Sequence, residues 1–260
     1  MTVQVADDAR VDWPGLVGLA RSVAIYRLIP GRARRLAGLY GPIIRPGDLC
    51  FDVGAHVGNR SRALARLGAR VIAIEPQPLF AAYLRRTVSR RENVTLLDMA
   101  VGDRVGETIL NVSRRTPTVS TTDATWIEAV GDSDGFANVA WDRRVRVAQT
   151  TLDALIDRYG LPSFCKIDVE GGELAVLAGL SQPIAHISFE YMPAAAEMAL
   201  NCVDRLAHLG DYRYRATVGE SATFVSDQDW TPEEARAWIA GLPPQARSGD
   251  LHARLVGDGR

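Results

Sequence analysis

Lysine is almost absent from this chain of 260 residues. Lys166 is the single lysine, and every other basic residue is an arginine. A Walker A phosphate loop needs a lysine after a glycine-rich turn, and Lys166 does not stand in that context. P-loop nucleotide-binding proteins are therefore excluded. A GC-rich coding sequence accounts for the arginine bias, and whether the remaining lysine has a role stays open at this point.

Cysteine and long apolar runs are also scarce. The cysteines, Cys50, Cys165 and Cys202, lie far apart and form no CxxC pair, which argues against a disulfide framework and a thiolate zinc site. No apolar run approaches the ~20 residues that a bilayer-spanning helix requires. Residues 1–13 contain no apolar segment typical of a secretory signal. These absences predict a cytoplasmic protein without a membrane span.

Neither sign of charge is in excess. The chain has 30 basic and 31 acidic residues, which gives a formal net charge of -1. Domains that bind nucleic acid usually carry a strong basic excess, so nucleic acid is not an expected partner. The length suits one large α/β domain.

Short apolar runs alternate with helical periodicity over most of the chain. The predicted strands cover 48–54, 70–76, 93–101, 163–171 and 186–191. The predicted helices cover 61–68, 79–88, 151–160, 173–180 and 194–210. This alternation implies right-handed crossovers and an α/β fold, a three-layer, doubly wound, mostly parallel sheet with helices on both faces.

Three regions depart from this alternation. Residues 1–40 are predicted to form an N-terminal helical appendage, ahead of one domain over residues 41–260. Within that domain, residues 106–150 form an insertion, of which 107–112 and 144–150 alternate like antiparallel strands. Near the C-terminus, YRYRATV and ATFVS suggest a closing antiparallel pair, whereas residues 246–260 show no pattern.

The loop after the first predicted strand carries the strongest local motif. Gly54-Ala55-His56-Val57-Gly58 opens a helix, where glycine lets the backbone approach a ligand. Its GxxxG spacing differs from the GxGxxG of dinucleotide-binding folds. Asp52 suits a ligand's ammonium group, and Glu75 stands where such folds bind a ribose diol. Together they predict a ligand with a nucleoside and an amino-acid part, such as S-adenosylmethionine.

Five sequence blocks resemble one known family. They are FDVGAHVGNRS, IAIEPQP, DMAVGDRVGE, TTLDALI and KIDVEGGELAVLAGL, and together they span roughly residues 40–192. In this order they resemble the FkbM-type methyltransferases, which methylate hydroxyl oxygens on sugars and natural-product scaffolds with S-adenosylmethionine. Two departures are His56, where the family commonly has asparagine, and Gly172, where it often has alanine. The resemblance implies the class I methyltransferase fold, which is Rossmann-like.

The resemblance also implies which residues contact the cofactor. The methionine part would lie against the first block, the ribose against Glu75, and the adenine against the third block. The cofactor-binding residues implied in this way are Asp52, Gly54, Ala55, Gly58, Asn59, Glu75, Pro76, Gln77, Met99, Ala100 and Asp168. Asp168 would face both the methionine end of the cofactor and the acceptor.

Methylation of a hydroxyl needs a base or a metal, because the hydroxyl must lose its proton as the new bond forms. The candidate catalytic residues are Asp168, Glu170, Glu190 and His56. The three carboxylates suit Mg²⁺, but no spacing in the sequence demands a metal, so no metal ligand is assigned. Lys166 lies two residues before Asp168 on the same face of a strand, and we expect it to pair with a buried carboxylate.

The polar segment 113–144, with Ser120, Thr121 and Thr122, is the expected binding loop for a small hydroxyl-bearing acceptor. Trp126 and Trp141 either stack on a sugar or belong to the core. The N-terminal helices form either a lid over the cofactor or the face of a homodimer. Both questions stay open on the sequence alone.

Two other functions fit the alternation of strands and helices. An NAD(P)-dependent oxidoreductase suits the fold but neither the GxxxG spacing nor Asp52. A non-catalytic cofactor-binding protein has no evident need for both Asp168 and Glu170. An O-methyltransferase that uses S-adenosylmethionine is therefore the leading hypothesis.

Overall fold

A computed structural model of the chain describes residues 5–6, 12–27, 31–131, 136 and 138–257. The strands are β1 (Val5–Ala6), β2 (Leu49–Val53), β3 (Arg70–Ile74), β4 (Val94–Leu97), β5 (Ala100–Val101), β6 (Gly106–Val112), β7 (Arg143–Thr150), β8 (Phe164–Ile167), β9 (His186–Tyr191), β10 (Tyr212–Ala216) and β11 (Gly249–Leu255). The helices are α1 (Trp13–Arg27), α2 (Arg32–Tyr40), α3 (Asn59–Arg66), α4 (Pro78–Thr87), α5 (Ala124–Val130), α6 (Leu152–Tyr159), α7 (Glu173–Ala178), α8 (Ala196–Leu209) and α9 (Pro232–Ala240). Among the described residues, no helix has both the length and the hydropathy needed to cross a bilayer.

Seven strands form the main sheet, in the order β10-β11-β9-β8-β2-β3-β4. The pairs from β9 through β4 are all parallel, and β11 runs antiparallel to both of its neighbours. This confirms the predicted parallel sheet with an antiparallel closing strand. The chain winds in opposite directions from β2 and β8, so a ligand crevice is expected at the carboxyl ends of these two strands.

Apolar side chains cover both faces of this sheet. Phe51 and Ile167 face a cluster with α6, α7 and α8, whereas Cys50 and Val71 face a cluster with α2, α3 and α4. All three cysteines are buried and free, as expected for inert thiols. The predicted three-layer arrangement is therefore confirmed.

The prediction for the closing pair was wrong in its partner. β10 pairs with β11, and residues 222–226 contribute only an isolated bridge between Thr217 and Phe224. β11 lies in the stretch 246–260 that showed no pattern. Its first five residues are all buried, because neighbouring strands flank it on both edges. Asp250 and His252 alternate with apolar residues, so this segment lacks the continuous apolar run that indicates a buried strand.

The insertion folds as a second, smaller sheet. β6 and β7 pair antiparallel as predicted, while β1 and β5 pair parallel with β7. The predicted strand 93–101 is thus divided, with β4 in the main sheet and β5 in the small one. Parts of the predicted appendage and of the 113–144 segment, namely residues 1–4, 7–11, 28–30, 132–135 and 137, lie outside the described residues.

Four ions, of which Lys166 and Asp250 are buried and Arg60 and Asp168 are partly buried, join α3, β8 and β11 below the crevice. Lys166 Nζ lies 2.9 Å from Asp250 Oδ1 and 3.4 Å from Asp168 Oδ2. The guanidinium of Arg60 lies 3.4 Å from Asp168 Oδ2 and 3.2 Å from Asp250 Oδ2. Burial alone would lower the pKa of Lys166, but Asp168 and Asp250 outweigh it and raise that pKa above its usual value. The expected pairing of Lys166 with a buried carboxylate is confirmed.

We predict that Lys166→Met lowers the free energy of unfolding by about 3–5 kcal/mol, because Asp168 and Asp250 then share Arg60 and the cluster keeps an uncompensated negative charge. Urea denaturation at neutral pH measures the change. Adding Asp250→Asn to this variant restores neutrality, and we expect it to recover part of the loss. Equal stability of the single variant and the wild type would contradict this structural role of Lys166. The single lysine would then be explained by the GC-rich coding sequence alone.

Candidate cofactor and acceptor site

A cavity of about 420 Å³ opens at the carboxyl ends of β2 and β8, where the topology places a crevice. It contains nearly every residue that the sequence suggested for the cofactor or for catalysis. Those that line it are Asp52, Gly54, Ala55, His56, Asn59, Glu75, Pro76, Gln77, Met99, Ala100, Asp168, Glu170 and Glu190. Gly58 is the exception, since it packs against α4, where an added Cβ would lie 2.7 Å from side chains of Leu84 and Val88.

Gly54 brings the loop after β2 against the end of β8. Its φ is +82°, in the left-handed region, and an added Cβ would lie 1.8 Å from the carbonyl oxygen of Asp168. The amides of Gly54 and Ala55 both donate to the carbonyl of Ile74 at the end of β3. Only glycine permits this approach, so the cofactor loop and the start of the acidic segment are held together.

Glu75 is fixed at the end of β3 by two backbone amides. The amide of His56 donates to Oε2 at 2.7 Å, and that of Gln77 donates to Oε1 at 2.9 Å. Burial raises the pKa of Glu75 to about 7 against the opposing effect of these two bonds. The carboxylate keeps acceptor positions for further donors, which suits a ribose diol.

Asp52 and Asn59 lie on either side of the same loop. Asp52 is buried and accepts a hydrogen bond from the hydroxyl of Ser61, and burial raises its pKa. Asn59, the first residue of α3, has an amide nitrogen that is buried without an acceptor in the described part of the chain. Because this donor is next to the free N–H groups of a helix start, a carboxylate of a ligand would satisfy it.

His56 is packed among aromatic rings. Its ring centroid lies 4.5 Å from that of Phe80 and 5.1 Å from that of Tyr26. Burial lowers the pKa of His56 to about 4, so the imidazole is neutral at physiological pH. This setting makes it a weak base, and the side chain serves better as an uncharged wall of the cavity.

Three carboxylates meet on the opposite wall. One oxygen each of Asp168, Glu170 and Glu190 lie within 4.8 Å of one another. Burial raises the pKa of Glu170, and the charges of Glu190 and Asp168 raise it further. Burial also raises the pKa of Glu190, with Asp168 adding to the effect. The two glutamates therefore retain a proton at pH values where free glutamates have lost it.

Glu170 reaches the cavity through an unusual backbone conformation. Its φ is +56°, a region that costs a non-glycine residue roughly 1–3 kcal/mol. The following Gly171 has φ +94°, and an added Cβ would lie 2.2 Å from Trp126. Trp126 thus packs against the turn and keeps Glu170 on the same side as Asp168, as the end of the strand allowed.

The tryptophans of the insertion belong to the core. Trp126 is fully buried against the rings of Phe136 and Trp141, and it does not line the cavity. Trp141 donates its indole N–H to the carbonyl of Val119 at 2.8 Å. Of the two hypotheses for these residues, packing fits the structure and stacking on a sugar does not.

The acceptor side of the cavity is built from separate parts of the chain. Ser120 and Thr122 line it, as expected for the acceptor loop, but Thr121 does not. Thr121 is buried, with its backbone paired to Asn111, so the prediction for this residue was wrong. Pro117 and Thr118 also line it and lie within the expected acceptor loop, whereas the sequence reasoning missed Tyr26, Arg60, Glu220, Arg247 and Asp250. Tyr26 belongs to α1, so the N-terminal helices form one wall of the cavity.

The profile of the methyltransferase FkbM domain matches residues 52–216, which contain the cofactor loop, Glu75 and the acidic cluster. The chain belongs to this family. The resemblance seen in the sequence blocks is therefore confirmed, and the matched region is a methyltransferase domain. The oxidoreductase hypothesis is not supported.

Two curated relatives align with parts of this methyltransferase. The 2-O-methyltransferase NoeI of Sinorhizobium fredii is 25% identical over 153 residues, which cover 56% of this chain and 63% of NoeI. The protein-L-isoaspartate O-methyltransferase of Aeropyrum pernix is 36% identical over 77 residues, which cover 28% of this chain and 29% of the relative. The matched region is thus less than two thirds of the length of either relative.

Solved structures of similar shape include an O-methyltransferase from Bacillus cereus in complex with S-adenosylhomocysteine. That structure has a TM-score of 0.48 and 14% identity, over 95% of this chain and 92% of the other. A precorrin-6y C5,15-methyltransferase from Geobacter metallireducens has a TM-score of 0.45 and 13% identity, over 88% and 90% of the two chains.

We predict that Gly54→Ala abolishes measurable binding of S-adenosylhomocysteine, because the new Cβ meets the Asp168 carbonyl at 1.8 Å. Gly47→Ala is the matched control, since Gly47 has φ +89° and no atom within 4 Å of an added Cβ. Both substitutions place a Cβ on a residue with positive φ, which lowers stability by roughly 1 kcal/mol. Only Gly54→Ala adds the steric clash. Isothermal calorimetry compares them, and equal affinities would contradict the proposed role of the close approach.

Proposed function

We propose that this methyltransferase transfers the methyl group of S-adenosylmethionine to a hydroxyl oxygen of a small molecule, such as a sugar, a glycoside or a natural-product scaffold. The observation that carries the proposal is the acidic cluster of Asp168, Glu170 and Glu190 beside the cofactor loop. An aliphatic hydroxyl is weakly acidic and must lose its proton as the methyl group arrives. Within this cluster, Glu170 and Glu190 have raised pKa values and supply the base for this step.

The loop after β2 and the end of β3 provide a binding surface for the cofactor. Glu75 would accept hydrogen bonds from the ribose hydroxyls, and the unpartnered amide of Asn59 would donate to the methionine carboxylate. Met99 and Ala100 would lie along the adenine. Asp168 would then face the methionine end of the cofactor, which carries the reactive methyl group.

Glu170 and Glu190 act together as the base. The ionised form of the pair takes the proton from the acceptor hydroxyl while the oxygen attacks the methyl carbon. The bond from that carbon to sulfur breaks, and its electron pair returns to sulfur, which turns the sulfonium into a neutral thioether. The raised pKa values of both glutamates bring their basicity closer to neutral pH, where general bases work best.

Asp168 has a different role, because Arg60 and Lys166 already engage it. Both cations lie 3.4 Å from the same oxygen, Oδ2. These contacts fix the carboxylate and leave its other oxygen for the acceptor or the sulfonium. Asp168 therefore orients the reactants, and alignment of this kind contributes up to about 7–11 kcal/mol to such displacements.

The same three carboxylates form a donor set that Mg²⁺ accepts. Our proposal needs no metal, because the nearby cations Arg60 and Lys166 already balance part of the negative charge. The metal-assisted alternative predicts loss of activity on treatment with EDTA and recovery with Mg²⁺.

The relative NoeI supports an oxygen acceptor, since its name describes a 2-O-methyltransferase. The cavity adds to this support. Ser120 and Thr122 offer hydroxyl groups for hydrogen bonds on the acceptor side, and the neutral His56 adds an uncharged surface. Such a lining suits a polyhydroxylated molecule better than a polyanion.

We predict that Glu75→Ala abolishes calorimetric binding of S-adenosylhomocysteine, because the ribose loses its acceptor and two backbone amides lose theirs. Glu173→Ala is the matched control. Glu173 is a second buried glutamate, and burial raises its pKa to about 7 as well. Its side chain does not line the cavity. Unchanged affinity of the Glu75 variant would reject the cofactor assignment.

We predict that Glu170→Gln lowers kcat by about 10²–10⁴, the usual contribution of a general base, with little change in S-adenosylhomocysteine affinity. In the wild type the rate should fall as the pH drops below the raised pKa of the glutamate pair, because protonation removes the base. Transfer from radiolabelled S-adenosylmethionine to a panel of mono- and disaccharides measures both effects. A pH profile of Glu170→Gln that matches the wild type, or activity that requires added Mg²⁺, would contradict the proposed base.

A further inference from the structure

Helix α1 packs against the rest of the protein through its smallest residues. Gly15, Gly18 and Ser22 are its buried positions, and they follow one another at helical spacing. An added Cβ on Gly18 would lie 2.5 Å from the carbonyl oxygen of Arg114 and 2.8 Å from Pro117. The helix therefore lies close against the insertion, and its large side chains have to point elsewhere.

These large apolar side chains point to solvent. Trp13 is 76% exposed, Leu16 42%, Val17 51% and Ile25 40%. Trp13, Leu16 and Val17 share the side of α1 opposite the buried glycines, and Ile25 continues the same i, i+4 row beyond Arg21 but is rotated toward the buried side. Exposed apolar residues are normal when scattered, but four on one helix form a patch that indicates a partner.

The segment that contains α1 and α2 carries charged residues of one sign. Between Asp12 and Asp48 the sequence contains Arg21, Arg27, Arg32, Arg34, Arg35 and Arg45 and no acidic residue. Arg32 pairs with Glu220, and Arg27 donates to the hydroxyl of Tyr83. Arg21, Arg34 and Arg35 are exposed, and Arg21 lies one turn from both Val17 and Ile25. A chain whose net charge is -1 thus concentrates positive charge beside its exposed apolar helix.

We propose that α1 docks the enzyme on an anionic lipid surface. The apolar side would lie at the boundary between headgroups and acyl chains, as in interfacial helices that combine arginine with tryptophan and leucine. Arg21, Arg34 and Arg35 would be attracted by the lipid phosphates. This docking depends on α1 and its neighbouring arginines alone, so it stands independently of the proposed methyl acceptor.

A second copy of the chain fits this surface less well. In a twofold-symmetric dimer the same patch meets itself, so Arg21 would approach its own counterpart. Residues 13–47 offer no acid to offset that repulsion. An anionic membrane supplies the missing negative charge and accepts the apolar side chains at once.

Docking is tested by co-sedimentation of the full chain with vesicles. We expect binding to vesicles of phosphatidylcholine and phosphatidylglycerol, little binding to phosphatidylcholine alone, and weaker binding at high salt. Arg21→Gln should lower the partition coefficient about fivefold, the effect expected for one arginine at such a surface. The triple variant Leu16→Ser, Val17→Ser and Ile25→Ser should lose binding almost completely.

Matched controls come from exposed residues elsewhere. Val105→Ser with Leu161→Ser removes apolar side chains that are 69% and 51% exposed, and Arg90→Gln removes an exposed arginine outside the segment. Both controls should bind like the wild type, and circular dichroism checks that every variant is folded. Equal binding of the α1 variants and the controls, or no binding to anionic vesicles at low salt, would overturn the proposal. So would a wild-type dimer that the triple variant turns into a monomer without any vesicle binding.

Discussion

The functional end of this methyltransferase depends on a neutral cluster of four ions at the base of the cavity. Arg60 and Lys166 each contact both Asp168 and Asp250, so three separate elements meet at one point. Lys166 and Asp250 are buried, and their charges are tolerable only while their partners stay in place. Because α3 begins in the cofactor loop and β8 ends at the acidic cluster, the contact that balances these charges also sets the distance between that loop and the acidic cluster.

Features that depend on neighbouring residues could be predicted from the sequence. β9 has the predicted bounds 186–191, since an apolar run between turn residues leaves little choice. The GxxxG loop, Glu75 and the acids after β8 all line one cavity, because parallel strands present their carboxyl ends at the same edge. Glu170 was among the candidate catalytic residues, although its +56° backbone angle was not foreseen.

Features that depend on distant partners could not be predicted. Lys166 and Asp250 are 84 residues apart, and nothing in the segment around Asp250 marks it as the partner of a buried lysine. β11 is flanked on both edges and mixes polar with apolar side chains, so it shows neither the alternation of a half-exposed strand nor a continuous apolar run. Tyr26 was missed because α1 packs against the protein through glycine and serine. In most helices the large apolar side chains form the buried side instead.

The burial of Lys166 has a chemical consequence for the whole chain. It is the single lysine, and its amine is fully enclosed between two carboxylates. Reagents and enzymes that modify lysine side chains, by acylation, methylation or ubiquitin transfer, require an accessible and unprotonated amine. No lysine amine of the folded chain meets that requirement, so acylation of this one side chain reports how often the centre of the sheet opens.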